Sequence, residues 1–179
     1  MSKIRFKSFL ELTLEEKKLV LNWRNSDTLR KNMINDHIIS FEEHLRWLEK
    51  LRERNDLKYW LVYLDDKPIG VLNLQKIDYE KKQAEWGIYI GPEEMRGKGY
   101  GKLLLFALLK HYFDEMKFKT LITKVLEDNK IAINLYNKFG FKSYSNEKIN
   151  NKRYILMLFT AEDWEREKER LKREAGENR

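Results

Sequence analysis

The most informative stretch of this sequence is Arg96-Gly97-Lys98-Gly99-Tyr100-Gly101, which lies between a predicted strand and a predicted long helix. Glycines let the backbone turn so that its N–H groups point at one spot, and the start of a helix adds partial positive charge there. Arg96 and Lys98 contribute two cations to the same place. The pattern favours a loop that holds a pyrophosphate, although a Gly-rich loop taken alone also fits a tight turn.

The elements that flank this loop are predicted from their hydrophobic patterns. Residues 84–90 (AEWGIYI) form a strand that must stop at Gly91-Pro92, because proline cannot continue the backbone ladder. Residues 99–116 are rich in leucine and aromatic side chains, which indicates a well-buried helix. The loop therefore joins a central strand to a core helix.

A second motif occupies residues 129–141, which read NKIAINLYNKFGF. Asn129 caps a short helix here, and Gly140 ends it. Asn129, Ala132 and Tyr136 are spaced by three and four residues, so they fall on one face of that helix. Tyr136 can then present its hydroxyl to whatever lies beside this face.

The two motifs, in this order and at this distance, resemble the acyl-CoA-binding elements of the GNAT superfamily of N-acyltransferases. The resemblance covers roughly residues 4–160 and implies an α/β fold with an α+β mixed sheet in a single domain. It implies a mostly antiparallel, bent sheet of about seven strands, splayed at strand 4 and flanked by about four helices. Residues 1–160 are then the N-acetyltransferase domain, and residues 161–179 form a charged C-terminal helix or tail.

The resemblance also implies that acetyl-CoA is the co-substrate and that no metal takes part. In the family, the tyrosine that matches Tyr136 protonates the departing CoA thiolate, and the residue that matches Asn129 helps to hold the pantetheine arm or the thioester. A backbone N–H at the splayed end of the fourth strand is expected to polarise the thioester carbonyl. The alternative is that Tyr136 is a core residue whose hydroxyl makes only a structural hydrogen bond. The residues expected to bind acetyl-CoA are Ile88, Tyr89, Ile90, Arg96, Gly97, Lys98, Gly99, Tyr100, Gly101, Asn129, Ala132 and Tyr136.

The group that takes the proton from the attacking amine is left open by the sequence. Glu85 lies on the central strand and is the catalytic candidate, while a structural or solvent-facing carboxylate is the competing interpretation. His44 lies on the apolar face of a helix, where a packing role is the usual one for a single histidine. Because the amine attacks the thioester directly, no covalent enzyme intermediate is needed.

The N-terminal half resembles a narrower group, the aminosugar N-acetyltransferases of the pseudaminic-acid pathway, which acetylate the 4-amino group of a UDP-linked altrosamine. The likeness lies in residues 20–25 (VLNWRN), 39–45 (ISFEEHL), 70–77 and 87–89. It implies that two cations face the diphosphate of a nucleotide sugar, where charge-assisted bonds to phosphate are strong. The residues expected to bind this acceptor are Arg24, His44, Gln75, Lys76 and Tyr89.

Other interpretations of these residues stay open. Arg24 also suits the end of a helix, where its charge meets the helix dipole, and Lys76 also suits a solvated strand position. Acetyltransferases of polyamines and of ribosomal-protein N-termini share parts of the pattern, and an acidic cleft would favour them. A CoA-binding pseudoenzyme and a nucleic-acid-binding module also remain. The last of these needs a continuous basic stripe, whereas charges of both signs are mixed along this chain.

Local signals predict the other elements. Capping boxes at Thr13 and Ser40 begin two helices, the first of which runs to about Asn25. Turn residues between 64 and 69 predict a hairpin. The predicted strands besides the central one are residues 4–6, 58–64, 69–77, 120–126, 141–144 and 153–159.

The composition excludes several kinds of chemistry. The chain has no cysteine, and its three histidines lack ligand spacing, which argues against thiolate nucleophiles and zinc. The net charge of +7 suits an anionic partner. The expected partner is a small-molecule amine, with no nucleic acid and no membrane, for a cytoplasmic monomer or homodimer. Trp164 and Leu171 are expected to be exposed on the C-terminal helix, but two apolar residues are too few to indicate a dimer interface.

Overall fold

A computed structural model describes residues 2–176, and it contains one mixed sheet of seven strands. The strands lie in the order β1-β2-β3-β4-β5-β7-β6, and all neighbours are antiparallel except β4 and β5. This is the mostly antiparallel α/β sheet that the sequence predicts. The bounds are β1 Ile4–Ser8, β2 Lys58–Leu64, β3 Lys67–Asp78, β4 Gln83–Ile90, β5 Thr120–Leu126, β6 Lys142–Ile149 and β7 Lys152–Thr160.

Six α-helices flank this sheet in the described part of the chain. The predicted capping boxes are confirmed at Thr13, where α1 begins, and at Ser40, where α3 begins. The four-residue α2 lies in a region for which the sequence gives no helix signal. The bounds are α1 Leu14–Asn25, α2 Asp27–Arg30, α3 Phe41–Leu51, α4 Tyr100–Lys110, α5 Lys130–Phe139 and α6 Ala161–Ala175.

The sheet is splayed between β4 and β5. These parallel strands pair only over Gln83–Glu85 and Thr120–Ile122, although each continues for four or five further residues. On its other side β4 stays paired with β3 as far as Ile90. The expected splay at strand 4 is confirmed, and it leaves a gap between the C-terminal halves of two neighbouring strands.

The two faces of the sheet carry separate hydrophobic clusters. On the α4 face, Trp86, Leu104 and Tyr136 belong to a cluster that includes α4, α5 and α6. On the opposite face, here called the α1 face, Leu61 and Val71 pack with residues from α1 and α3. Side chains alternate between the faces along each strand. Any position on a strand can therefore be assigned to one face.

The helix predicted over residues 99–116 changes its hydrogen-bonding pattern before its end. Residues His111–Glu115 form a π-helical turn, in which the Met116 N–H donates to the carbonyl of His111 at 3.0 Å. This turn places the Asp114 carboxylate 2.7 Å from the indole nitrogen of Trp164. A π-helical turn contains one residue more than an α-helical turn, and here it allows the contact between Asp114 and Trp164. No local sequence pattern predicts this turn.

The C-terminal helix α6 is packed against the domain, and the expectation that Trp164 and Leu171 are exposed is wrong. Trp164 is 2% exposed and Leu171 is fully buried in the α4-face cluster. Glu174 binds Lys102 of α4 at 2.7 Å. Neither apolar residue is available for dimerisation, and the last part of the predicted tail, residues 177–179, lies outside the described residues.

Candidate functional site

The Gly-rich loop adopts the backbone conformation that the sequence predicts. Gly97 and Gly99 have φ angles of 72° and 89°, in the left-handed region that glycine tolerates without a Cβ penalty. Gly99 is the N-cap of α4 and has no side chain to satisfy the first amides of the helix. The Lys102 N–H donates to the Gly99 carbonyl at 3.2 Å, whereas the N–H groups of Tyr100 and Gly101 point out of the helix start, where they can bind an anion. A Cβ at either glycine would meet nothing within 4 Å, so the constraint is conformational.

Arg96, at the start of this loop, is held by hydrogen bonds to neutral groups of the protein. Its Nε and Nη2 donate to the carbonyls of Ile90 at 3.1 Å and Gly91 at 2.8 Å, and its Nη1 donates to the Thr28 hydroxyl at 2.6 Å. All three guanidinium nitrogens are thus engaged with protein groups. These contacts fasten the loop to the end of β4, and the expectation that the charge of Arg96 screens the pyrophosphate stays a prediction. Lys98 is exposed.

The unpaired half of β4 presents main-chain groups to the gap. Lys82 directs its carbonyl toward β5, where the Lys119 N–H donates to it at 2.8 Å, whereas the Gly91 N–H points the other way to Ile69 of β3. Because alternate residues of a strand direct their main-chain groups to the same side, Ile88 faces the β5 side. Ile88 lies beyond the last β4–β5 pair at Glu85. Its N–H and C=O are therefore free in the gap.

The same alternation separates the three β4 residues predicted to contact acetyl-CoA. Ile88 and Ile90 direct main-chain groups into the gap, but the carbonyl of Ile90 is already bound by Arg96. Tyr89 pairs with Val71 and directs its main-chain groups to β3. Tyr89 therefore has no main-chain group for a ligand in the gap, and only its side chain, on the α1 face, is available.

Tyr136 lies on α5, and its ring packs against Trp86 of β4 beside the gap. It is 7% exposed, and its ring centroid is 4.9 Å from that of Trp86 and 5.8 Å from that of Phe141. Burial raises the pKa of the Tyr136 phenol above its ordinary value. The phenol is therefore neutral at physiological pH and holds a proton that it can donate.

Asn129 has a structural task in addition to any role in binding. Its side-chain oxygen accepts from the Ala132 N–H at 3.2 Å and caps α5, as the sequence predicts. The amide nitrogen of the same side chain is not used in that bond. Asn129, Ala132 and Tyr136 thus lie on successive turns of one helix, next to the gap.

Glu85 and Lys76, predicted for different roles, form an ion pair with each other. The Lys76 ammonium is 3.0 Å from the Glu85 carboxylate, and Lys124 of β5 lies 3.7 Å from the same oxygen. Glu147 holds Lys124 from the other side at 3.1 Å. The carboxylate of Glu85 therefore has two cationic neighbours. Lys76 itself sits at a β-bulge with a φ of 49° and is exposed.

Arg24 is partly buried beside Tyr89 at the far end of the unpaired stretch. Its Nη2 donates to the carbonyl of Asn35, while its Nη1 is buried without a hydrogen-bond partner among residues 2–176. Burial lowers the pKa of this guanidinium, and the nearby tyrosines Tyr89 and Tyr59 act in the opposite direction. The buried Nη1 of this partly buried cation can therefore donate a hydrogen bond to an oxygen atom of a ligand.

His44 and Gln75 are the remaining two residues predicted to bind the acceptor, and they lie in different parts of the structure. His44 is 7% exposed and stacks on Trp47, which meets Tyr59, the neighbour of Arg24. Two aromatic side chains thus separate His44 from Arg24. Burial lowers the pKa of His44, so its imidazole is neutral. Gln75 is opposite Glu85 on β3, at the closed end of the gap.

Sequence reasoning missed Asn73 and Lys124, which lie on the α1 face beside Glu85. The Asn73 carboxamide accepts from Gln75 at 2.9 Å and occupies the space over Gly87, where a Cβ would lie 2.8 Å from its nitrogen. A signal for Asn73 existed, because Asn73 and Gln75 alternate with leucines in an otherwise apolar strand. No comparable signal marks Lys124.

A separate cleft lies between the end of α1 and the β2–β3 turn. It has a volume of about 480 Å³, and Trp23, Pro68 and Pro92 form part of its wall. Of the predicted site residues only Arg96 touches it. We place the reaction in the β4–β5 gap, because only there do free main-chain groups, the anion-binding loop and Tyr136 converge.

Two features were not found within residues 2–176. No group of three or more His, Asp or Glu side chains in this range is arranged to hold a metal ion. No helix in it is both long and apolar enough to cross a bilayer.

Known acetyltransferases resemble this chain in sequence and in fold. A profile of the acetyltransferase (GNAT) family matches residues 20–141. The chain is 36% identical over 145 residues to acetyltransferase PseH of Campylobacter jejuni subsp. jejuni serotype O:23/36 (strain 81-176), which covers 81% of this chain and 88% of PseH. The solved structure of C. jejuni N-acetyltransferase PseH in complex with acetyl coenzyme A superposes with a TM-score of 0.71 at 30% identity, over 88% of this chain and 99% of that one.

A second solved structure is similar in fold. Spermidine N-acetyltransferase from Vibrio cholerae, in complex with CoA and spermine, superposes with a TM-score of 0.81 at 21% identity. It covers 91% of this chain and 97% of that one. The higher TM-score reports backbone shape, whereas the higher identity to PseH reports side chains, which determine what a site binds.

Proposed function

The chain belongs to the acetyltransferase (GNAT) family and is an acetyl-CoA-dependent N-acetyltransferase, and from this premise we propose that its acceptor is a nucleotide-linked amino sugar. The amine would be the 4-amino group of a UDP-4-amino-4,6-dideoxy-N-acetyl-β-L-altrosamine, as in pseudaminic-acid biosynthesis. Similarity to PseH over most of both chains supports this acceptor. The expected cytoplasmic location and the monomeric or homodimeric state belong to the same proposal.

The observation that carries the proposal is the buried, unsatisfied guanidinium nitrogen of Arg24. A guanidinium nitrogen that is buried without a partner among the described residues gains most from an oxygen anion, because a charged donor left unpaired is costly. Such a group repels a polyamine, which carries only positive charges at neutral pH. An acceptor with phosphate or sugar oxygens supplies what Arg24 lacks.

The charge balance of the α1 face around the gap supports an anionic acceptor as well. Among the described residues, the carboxylates there are each within salt-bridge distance of a lysine. The carboxylates are Asp36, Glu85 and Glu147, and the cations are Arg24, Lys76, Lys124 and Lys152. This surface is therefore not the acidic cleft that would favour a polyamine or a protein N-terminus.

The two predicted diphosphate ligands are separated along β4. Lys76 binds Glu85, and Arg24 lies by Tyr89, four residues further on. At about 3.3 Å per residue this separation is roughly 13 Å. We therefore expect Arg24 and Lys76 to meet different parts of the acceptor, with the diphosphate at one of them only.

The proposed chemistry uses four groups of the chain around the gap. The Ile88 N–H polarises the thioester carbonyl, and the neutral Tyr136 phenol donates a proton to the departing thiolate. The free amides of the Gly97–Gly101 loop hold the pyrophosphate. Glu85 is the proposed proton acceptor for the amine, and the ammonium groups of Lys76 and Lys124 lie 3.0 and 3.7 Å from its carboxylate.

A polyamine or a protein N-terminus is the alternative acceptor. The fold likeness to the Vibrio cholerae spermidine enzyme motivates this alternative, but at 21% identity it speaks for the fold alone. A CoA-binding pseudoenzyme and a nucleic-acid-binding module receive no support from the gap residues, since Tyr136 and the unpaired Ile88 amide are features of a reaction site.

Thiol release from acetyl-CoA tests the proposal with three acceptors: the UDP-4-amino sugar, spermidine and a peptide with a free N-terminus. We expect turnover of the UDP-4-amino sugar, and we expect Arg24→Ala to raise its KM at least tenfold. Arg54→Ala is the matched control, because Arg54 is an exposed arginine whose guanidinium is paired with Asp56 at 2.7 Å. Turnover of spermidine or the peptide alone would refute the sugar acceptor and leave the family assignment intact.

A further inference from the structure

Four buried side-chain polar atoms have no hydrogen-bond partner among residues 2–176: Arg24 Nη1, His44 Nε2, Trp86 Nε1 and the Tyr154 hydroxyl. Buried polar atoms are nearly always paired, and an unpaired one costs about 1–3 kcal/mol. Arg24, His44 and Trp86 already belong to the site or border it. Tyr154 has no assigned role, and it is only 2% exposed.

Tyr154 lies on the α1 face of the sheet. It belongs to β7, where Met157 and Phe159 join the α4-face cluster. Because side chains alternate, Tyr154 is on the other face, together with Leu156, which pairs with Lys124. Tyr154 is a member of neither hydrophobic cluster.

Tyr154 also lies at the open end of the β4–β5 gap. It pairs with Leu126, the last residue of β5. The register of the parallel strands sets Glu85 beside Ile122, and its extension by four residues sets Tyr89 level with Leu126. Tyr154 is therefore at the height of Tyr89, on the opposite side of the gap.

A segment of the α1–α3 connection spans the distance between Arg24 and the β7 region. Its Asn35 carbonyl accepts from Arg24, and its next residue, Asp36, binds Lys152 at 3.3 Å. Lys152 is two residues before Tyr154 on β7. Burial raises the pKa of Tyr154, so its phenol is a neutral donor. Two unpaired donors, Arg24 Nη1 and the Tyr154 hydroxyl, thus flank one short segment above the gap.

We infer that Tyr154 is an acceptor-binding residue, whose phenol donates a hydrogen bond to an oxygen of the acceptor on the side of the gap opposite Arg24. The guanidinium of Arg24 can only donate, so a ligand group shared with it must offer oxygen lone pairs. Hydroxyl and phosphate oxygens of a nucleotide sugar have them, and an ammonium group does not. The inference rests on the proposed function only for the chemical class of the ligand.

Tyr154→Phe tests the inference, with Tyr112→Phe as the matched control. The Tyr112 hydroxyl is also buried, but it donates to the Thr120 carbonyl at 2.5 Å. Without any acceptor, we expect urea unfolding to show Tyr154→Phe as stable as the parent or more stable, because the lost hydroxyl has no partner. Tyr112→Phe should lower the urea midpoint. A midpoint for Tyr154→Phe as low as that of Tyr112→Phe would overturn the inference.

Steady-state kinetics with the UDP-4-amino sugar give the second readout. We expect Tyr154→Phe to raise the KM for the sugar roughly 3- to 10-fold, the effect of one hydrogen bond, and to leave the KM for acetyl-CoA unchanged. An unchanged KM for the sugar would refute the role of Tyr154. If only spermidine is turned over, the proposed function has failed, and a spermidine KM raised in Tyr154→Phe would overturn the donor role, because an ammonium group cannot accept from the phenol. If no amine is turned over, the Kd of the UDP-4-amino sugar replaces its KM, and an equal Kd for Tyr154→Phe and the parent would refute the inference.

Discussion

Trp86 of β4 and Tyr136 of α5 meet edge to face, with their ring centroids 4.9 Å apart and their planes at 69°. This contact ties the proposed acid to the strand that carries the free Ile88 amide two residues further on. Because both rings are almost completely buried, the position of Tyr136 relative to the gap is set by packing. A proton donor held in this way needs no rearrangement before the thiolate departs.

Replacement of Tyr136 by phenylalanine should remove the proton donor and keep the packing. We expect kcat to fall by roughly 10²- to 10⁴-fold, the usual contribution of general acid catalysis, with the Kd for acetyl-CoA unchanged. Thiol release and isothermal titration measure the two quantities. Tyr144→Phe, at an exposed position of β6, should keep the parent kcat. A Tyr136→Phe enzyme with more than a third of the parent kcat would contradict the role of Tyr136.

Alanine at Gly99 should weaken acetyl-CoA binding through the backbone. Its φ of 89° costs a residue with a Cβ about 1–2 kcal/mol, although the Cβ would touch nothing. Gly176→Ala is the control, since Gly176 has a φ of 79°, is equally open and ends α6. Both variants should lose similar stability in urea, but only Gly99→Ala should raise the Kd for acetyl-CoA. Equal Kd values for the two variants would show that the loop conformation is not what binds the pyrophosphate.

Replacement of Glu85 by glutamine separates a catalytic carboxylate from a structural one. If Glu85 takes the amine proton, kcat/KM should fall tenfold or more at neutral pH, and the loss should shrink as pH rises, because more of the amine arrives already deprotonated. A pH profile of kcat/KM from pH 6 to 10 measures this. A profile that runs parallel to that of the parent at every pH would identify Glu85 as a partner of Lys76 and Lys124 only.

Acid should destabilise the protein partly through Glu16. Burial alone would raise the pKa of Glu16, but hydrogen bonds from Lys7, Thr13 and Tyr63 outweigh it and lower the pKa to about 2. The ordinary value is 4.5, so the stabilisation is present above pH 4.5 and is lost as pH falls toward 2. We expect Glu16→Gln to unfold with up to about 3 kcal/mol less free energy at pH 6, and with no deficit near pH 2. A deficit that is the same at both pH values would disprove this linkage.

Truncation of Trp164 to alanine tests whether α6 is part of the domain. We expect a loss of about 3–5 kcal/mol of unfolding free energy, because the indole is buried against Phe106 and bonded to Asp114. Ile131→Ala, at a side chain that is 86% exposed, should change stability by less than about 0.5 kcal/mol. A Trp164→Ala effect as small as that of Ile131→Ala would mean that α6 is detached in solution.

Features encoded within a few residues of one another could be predicted from the sequence. The capping boxes at Thr13 and Ser40, the Asn129 cap and the left-handed glycines at 99 and 140 are local signals, and each appears where it was expected. The splay was predicted from family resemblance, since no local pattern encodes a strand pair that ends after three residues.

Features that depend on distant partners could not be predicted. Lys76 and Glu85 each have a plausible task alone, and only the fold shows that they bind each other. Arg96 is adjacent to the anion-binding loop in sequence, yet its partners include Thr28, which is 68 residues away. Leu171 lies in a highly charged helix, and its burial depends on α4, which the helical pattern does not reveal.

The short β4–β5 pairing divides the sheet into two parts, one with β1 to β4 and one with β5 to β7. Hydrogen bonds join these parts along only about half of the boundary between them, which is here called the seam. A molecule that runs through the seam and bonds both sides would act as a missing strand. Bound acetyl-CoA should then slow amide hydrogen exchange in β4 and β5 together and raise the melting temperature, as for any ligand that binds only the folded state. The lifetime of the folded enzyme in a cell would then depend on how much acetyl-CoA the cell's metabolism supplies.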